Sequence, residues 1–422
     1  MLVSSKYLSR AGTFGFRLLG ALGSALLAFT IAKLGSSEIL GEFQYALTIA
    51  LGISILAKQG YDRVLIRFIA RYKDTIEERI GNMLFKLALR KVLLRSLILL
   101  PLVYFSLMVL EDFVSISQAA YWIIAASIPM SFGALLVGFY KGSFKPSTSF
   151  IYDIGVISLI ASAIIYISNN IEATSSAKSI YISYFVCYSF IVGIGLCINK
   201  RALSIKVSEA IPWQEMSTAS PNFMWMTLIV YAQQLVLVYV LAEYLGISEL
   251  GIYKVAEKIA ITIGFFQSVV NAIYAPYFSK SHHTNDIKKL VRYIRQSTTT
   301  SLILTVPPLL IIFLFTTDIL NYFGPDYTDA STLVYIISIG QFINVILSPS
   351  GTLLNMTGNE AISKRILIAT SVISIPLIVS FTLIFGAVGT ATAGLIIIAA
   401  QNIGCTAAAY KILGVIPYAA IR

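Results

Sequence analysis

Charged side chains are scarce in this sequence: Asp, Glu, Lys and Arg make up 12% of its 422 residues, about half the share found in a soluble chain. Hydrophobic residues make up 57%, more apolar side chain than a globular interior can hide. Cysteine and histidine are also few. The three cysteines, Cys187, Cys197 and Cys405, lie inside apolar runs with no pairing or metal-ligand spacing, so buried thiols are expected and no metal centre is predicted. The two histidines, His282 and His283, sit side by side in a basic stretch where solvated positions are expected. HExxH, Walker A and GxSxG motifs are missing, which removes the usual signatures of zinc, P-loop and serine hydrolase chemistry. Apolar segments alternating over about ten residues, the mark of a membrane β-barrel, are missing as well.

What is present is a succession of long apolar runs such as Leu18 to Ala32 and Ser371 to Phe385, separated by short polar breaks. Such runs are helices crossing a hydrocarbon core roughly 30 Å thick. Windows of about nineteen residues place about twelve spans, at 13–33, 43–69, 88–110, 118–140, 148–168, 179–198, 221–242, 250–278, 298–316, 330–349, 364–385 and 388–410. The segment ahead of the first run carries Lys6 and Arg10, but that run is too long for a signal peptide, so it is expected to stay in the mature protein. An even number of spans puts both termini on one side. If that side is the cytoplasm, all of the 31 Lys and Arg except Lys33, Lys178, Lys254 and Lys258 fall on inner loops or inner helix ends. The acidic residues fall on both sides, the asymmetry expected when only basic residues are sorted. The formal charge of +11 therefore reflects topology, and nucleic acid is not an expected partner.

The basic stretch from Lys200 to Gln214 divides the spans six and six. The expected organisation is an N-terminal six-helix bundle over 1–200, a cytoplasmic linker over 201–220 and a C-terminal six-helix bundle over 221–422. An internal repeat supports two related halves. When Ile31–Phe43 is laid over Leu241–Tyr253, Ala32 meets Ala242, Gly41 meets Gly251 and Phe43 meets Tyr253, and beyond them Ala46 meets Ala256 and Ala50 meets Ala260. Two halves inserted the same way round are the parallel repeats of transporters with a central cavity.

The turn opening each repeat reads Leu34-Gly35-Ser36-Ser37-Glu38-Ile39-Leu40-Gly41-Glu42-Phe43 in one half and Leu245-Gly246-Ile247-Ser248-Glu249-Leu250-Gly251-Ile252-Tyr253 in the other. The second copy runs on through Lys254 to Ala260 and closes near Ala275, Pro276 and Tyr277. With the helix number and half-repeat, these residues resemble the polysaccharide-export branch of the multidrug/oligosaccharidyl-lipid/polysaccharide superfamily, the Wzx-type O-antigen and capsule flippases. The resemblance implies an all-α, MATE-like membrane fold and a transporter rather than an enzyme. It implies as substrate an undecaprenyl-diphosphate-linked oligosaccharide, carried from the cytoplasmic to the outer face of a bacterial inner membrane. Membrane lipids, a polysaccharide polymerase and a chain-length regulator are the partners it implies. No cofactor is expected beyond H⁺ or Na⁺ as a coupling ion. A multidrug/cation antiporter of the same superfamily is the alternative reading; a membrane polysaccharide polymerase or ligase is a further one, although resemblance to those enzymes would imply a long outer loop, and none is present.

A lipid diphosphate asks for cations, and a charge inside a span usually faces a cavity or a partner. In the second span Gln59, Arg63 and Arg67 recur at intervals of four, with Arg71 a turn further on, so a continuous helix would align them on one face. Lys58 and Asp62 form another such pair. Arg67 and Arg71 suit headgroup anchors, whereas Arg63 and, in the first span, Arg17 are candidates for the substrate. In the eighth span Lys254, Glu257, Gln267 and Asn271 share a polar arc of about 140°, with Lys258 at its edge. The substrate candidates are therefore Arg17, Lys58, Arg63, Lys254, Lys258, Gln267 and Asn271, and the ion-coupling candidates Asp62, Asp153 and Glu257. Each has a structural alternative: a Lys254–Glu257 ion pair, and for Asp153 the capping of a helix start. The amides Gln233, Gln234, Gln341, Asn344, Gln401 and Asn402 are expected to join helices rather than bind sugar.

Overall fold

A computed structural model describes residues 20–415 except 21, 73–77, 110–116, 144, 173–175, 201–203, 205–212, 285 and 348. Its helices are α1 (Leu22–Leu34), α2 (Ser37–Lys58), α3 (Tyr61–Tyr72), α4 (Glu78–Val109), α5 (Tyr121–Ala125), α6 (Ser127–Gly142), α7 (Ile154–Glu172), α8 (Ala177–Ile198), α9 (Trp213–Leu245), α10 (Ile247–His283), α11 (Ile287–Phe323), α12 (Ser331–Leu347), α13 (Pro349–Met356) and α14 (Glu360–Leu413). Among the described residues, 9 helices are long and apolar enough to cross a membrane, and two shorter apolar helices, Leu22–Leu34 and Ile154–Ser168, lie where the first and fifth spans are expected.

The longest of these, α14, is two spans. At Gly386 the backbone leaves the helical region with φ 64° and ψ −147°, a conformation open to glycine and hostile to residues with a Cβ. On either side of it, Thr382 and Thr390 join their hydroxyls at 2.7 Å. Further out, a Cβ on Gly404 would sit 3.1 Å from Ile366 Cγ2. Contacts that pair residues symmetrically about position 386 identify an antiparallel helical hairpin. The expected boundary between spans eleven and twelve lies at this bend, and counting its two arms gives the expected twelve spans.

The second span departs from expectation. Over 43–69 the sequence suggests one helix, but α2 ends at Gln59 (φ 47°), Gly60 follows at φ 79°, and α3 starts at Tyr61. Two consecutive left-handed residues cannot continue a right-handed helix. Gln59 is the C-cap of α2, so it does not extend a stripe with Arg63 and Arg67. The repeat explains the break: where the first half has Gln59–Gly60 the second has Val269–Val270, and α10 runs on unbroken to His283.

The chain divides into two compact units, Met1–Leu235 and Val236–Arg422. The two copies of the repeat turn start their helices at matching positions, Ser37 and Ile247, but enter them differently. Ser36 caps α2 by accepting a hydrogen bond from Ile39 N at 3.3 Å, and Gly246, at φ 96°, precedes α10. The matched residues are buried in both: Leu40 and Leu250, Phe43 and Tyr253, Ala46 and Ala256, Ala50 and Ala260. Small residues let helices approach closely. In the first unit Thr30 and Ser162 join hydroxyls at 2.6 Å between α1 and α7, and Ser131 donates to Ser54 at 3.1 Å between α6 and α2. Tyr231 of α9 covers Gly52 and donates its hydroxyl to Thr48 O at 2.8 Å. In the second unit Phe278, Leu290, Ile294, Leu353, Leu354, Cys405 and Ala409 form a buried apolar cluster.

Candidate functional site

In the first unit the break between α2 and α3 gathers the charged side chains. Lys58 Nζ lies 3.1 Å from Asp62 Oδ2 across it, with both side chains less than a fifth exposed, so each charge compensates the other. Arg63, in the first turn of α3, is exposed. The break is held from behind: a Cβ on Gly60 would meet Phe223 Cβ at 2.9 Å and Met224 N at 3.0 Å. α3 is clamped on its other side by Gly138 and Gly142 of α6. A Cβ on Gly138 would fall on Asp62 O, and one on Gly142 would sit 2.8 Å from Ile69 Cβ. This pair of glycines four apart is a small-residue helix contact.

Sequence reasoning passed over Arg95, in the third span. Its guanidinium carbon sits 5.3 Å from the centre of the Tyr61 ring, and Tyr61, only 2% exposed, has its ring 5.3 Å from that of Trp213. The available signal was a cation well inside an apolar run. Arg17 lies outside the described residues, and so do 201–212 of the expected linker apart from Ser204; from Trp213 onward the chain is helical. Asp153 is placed as a helix cap: extended at φ −74° and ψ 142°, it accepts a hydrogen bond from Gly155 N at 3.3 Å. At the repeat turn Glu42 is held by Ser117 N–H at 2.6 Å and by the buried Tyr181 hydroxyl at 2.8 Å. A cleft of about 300 Å³ lies between α5, α6 and α8, lined by Ile128, Phe132, Phe185, Val192 and Leu196 among others. None of the candidate residues lines it.

In the second unit Lys254, 3% exposed, donates to Glu257 Oε2 at 2.8 Å. Lys258 is half-buried on the same turn. Two lysines therefore accompany one carboxylate. Lower in the same helix, Gln267 Nε2 donates to Asn344 O at 3.2 Å, Asn344 Nδ2 to Gln267 Oε1 at 3.3 Å, and Asn402 Nδ2 to Asn344 Oδ1 at 3.0 Å. These amides join α10, α12 and the second arm of α14, so Gln267 has its hydrogen bonds within the protein. Asn271, one turn below Gln267, is half-buried. At the start of α11, Asp286 Oδ1 accepts from Lys289 N–H at 3.0 Å and Oδ2 lies 2.7 Å from Lys289 Nζ. The Lys289 side chain holds the Asp286 carboxyl below the usual carboxylate range. Among the described residues no group of three His, Cys, Asp or Glu could hold a metal ion.

Comparisons with known proteins agree with this architecture. The model of the Polysaccharide biosynthesis protein family matches residues 8–282, and the MatE model matches residues 223–380. The probable low-salt glycan biosynthesis flippase Agl15 of Haloferax volcanii is 31% identical over 161 residues, which span 37% of this chain and 33% of that protein. The chain thus matches a third of the length of that relative. An uncharacterized membrane protein of Methanocaldococcus jannaschii is 23% identical over 408 residues, covering 89% of this chain and 79% of its own. Among solved structures, the lipid II flippase MurJ in an inward closed conformation superposes with a TM-score of 0.73 at 17% identity, over 95% of this chain and 87% of that one. An inward-facing multidrug resistance MATE family transporter of the MOP superfamily gives 0.67 at 13% identity, over 98% and 100%. At these identities the two structures speak for the fold.

Proposed function

We propose, from the premise that this chain belongs to the Polysaccharide biosynthesis protein family, within the multidrug/oligosaccharidyl-lipid/polysaccharide superfamily, that it is a flippase for a lipid-linked oligosaccharide. The finer form of the proposal is a Wzx-type protein that carries an O-antigen or capsule repeat unit on undecaprenyl diphosphate outward across the cytoplasmic membrane. The observation that carries it is the sign of the charge held among the membrane helices. Around the α2–α3 break one carboxylate, Asp62, already paired with Lys58, stands against Arg63 and Arg95. On α10 one carboxylate, Glu257, stands against Lys254 and Lys258. Basic surroundings lower the energy of a diphosphate in a medium where its charge is poorly solvated, and raise that of a cationic drug. That contrast disfavours the multidrug alternative.

Arg63 is our candidate for the phosphate in the first unit, and the Lys254–Glu257–Lys258 turn is the candidate in the second. Coupling to H⁺ or Na⁺ would fall to carboxylates that trade partners, with Asp62 and Glu257 as the candidates. Asp153 is already committed to its cap. A polymerase and a chain-length regulator are the partners this reading proposes on the outer side. Deletion of the gene, in a cell without a redundant flippase, is expected to strand lipid-linked repeat units on the cytoplasmic face and to leave sensitivity to cationic drugs unchanged. Surface polysaccharide at its normal level in such a strain would refute the reading.

A further inference from the structure

Among the described residues, Arg95 is a basic side chain with a buried nitrogen, Nη1, that no hydrogen bond satisfies. Asp62, the carboxylate next to Tyr61 in the chain, is held by Lys58 at 3.1 Å. What Arg95 does have is the face of Tyr61 at 5.3 Å, a contact that steadies a guanidinium without neutralising it. Tyr61 is fixed in turn. It is the first residue of α3, immediately after the left-handed pair Gln59–Gly60, and Trp213 packs against it at 5.3 Å.

A guanidinium inside a membrane span is costly unless an anion or a set of acceptors meets it. Arginine offers five donors in a planar fork matched to the paired oxygens of a phosphate. Here the two donors on Nη1 are unused and the ring beneath leaves the charge intact. We propose that Arg95 is an anion-binding residue that receives a phosphate group of the transported lipid, with Tyr61 as the platform that holds the guanidinium while the phosphate is away. The proposal rests on the flippase reading above and adds to it a phosphate contact on the third span. Phosphate chemistry could also come from the headgroup of an ordinary membrane phospholipid, so the experiment separates the two sources.

The full chain is reconstituted in phosphatidylcholine nanodiscs, and retention of radiolabelled polyprenyl diphosphate is measured. Unlabelled polyprenyl diphosphate, the neutral polyprenol and phosphatidylglycerol serve as competitors. In a Trp122→Phe, Trp225→Phe background, Trp213 emission reports locally on the Tyr61 platform. The parent chain is expected to bind the diphosphate, to shift its Trp213 emission on doing so, and to be displaced by the diphosphate alone. Arg95→Gln should weaken binding about a hundredfold and Arg95→Lys about tenfold, the range lost with a hydrogen bond between charged groups. Tyr61→Phe keeps the ring and should change binding less than about threefold. Arg95→Lys keeps the charge, and its thermal unfolding should match the parent's. Binding by Arg95→Gln equal to the parent's would overturn the assignment and leave the flippase reading standing. Displacement by phosphatidylglycerol as effective as that by the diphosphate would make Arg95 a headgroup anchor, which also overturns it. Failure of the parent to retain the diphosphate at all would overturn both.

Discussion

Glu257→Gln is expected to destabilise the second unit by about 3–5 kcal/mol, the cost of removing one partner from a buried ion pair. Lys254 is 3% exposed and its ammonium lies 2.8 Å from the Glu257 carboxylate. An amide can still accept a hydrogen bond but cannot supply the countercharge, and Lys258 on the same turn adds a second positive charge. The loss comes from the charge left behind more than from the bond removed. Lys254→Met with Glu257→Leu should therefore recover the part of it that comes from Lys254, because it replaces that pair with apolar groups of similar volume and leaves only the half-buried Lys258 without the carboxylate. Thermal unfolding of the purified protein in detergent checks both variants. A double variant as unstable as Glu257→Gln alone would mean that this turn needs its charges for packing, and a Glu257→Gln midpoint equal to the parent's would mean that Lys254 is compensated in some other way.

Gly138→Leu should remove most folded protein from the membrane, and Gly138→Ala should cost about 1–3 kcal/mol, the range for overpacking a close contact. The obstacle is backbone: a Cβ at 138 would fall on Asp62 O, and one turn on, a Cβ at 142 would meet Ile69 Cβ at 2.8 Å. A flexible neighbour could swing aside, whereas a carbonyl inside a helix moves only with the helix. Displacing α3 also moves Asp62 away from Lys58 and Tyr61 away from Arg95, so Gly138→Ala should lose polyprenyl diphosphate binding along with stability. Gly193→Ala is the control, since nothing lies within 4 Å of a Cβ there. Matched expression and unfolding midpoints for Gly138→Ala and Gly193→Ala would show that α3 and α6 are not locked together as described.

Hydropathy carried most of the fold, because a bilayer leaves few structures to choose from once the apolar runs are counted. The repeat turn was legible for a different reason: Leu40, Phe43, Ala46 and Ala50 and their partners in the second half are all buried, so packing constrains both copies alike. The ion pair Lys254–Glu257 follows from spacing along a helix, whereas Lys58 and Asp62 meet across the break, where helical spacing does not apply. The α2–α3 break was misread although its signal was present. Gln59–Gly60 followed by Tyr61 and Asp62 is a helix stop and restart, but it is masked by the long apolar stretch before it. Arg95 escaped notice because Lys86, Arg90 and Lys91 precede it in the same helix, so that it reads as the last of a run of headgroup anchors. Only the approach of Tyr61 from another helix distinguishes it. The amide network of Gln267, Asn344 and Asn402 depends on which helices face one another, a tertiary fact that no local pattern encodes.

The flippase account is tested most directly in sealed vesicles that contain the purified chain and a lipid-linked oligosaccharide in both leaflets. A membrane-impermeant glycosidase added outside reaches only the sugars of the outer leaflet. With the chain present, the account predicts that the enzyme cleaves nearly all of the oligosaccharide, and that vesicles carrying Arg95→Gln stop near the half exposed at the start. Cleavage that halts at the outer-leaflet half with the parent chain, under H⁺ and Na⁺ gradients of either direction, would contradict it.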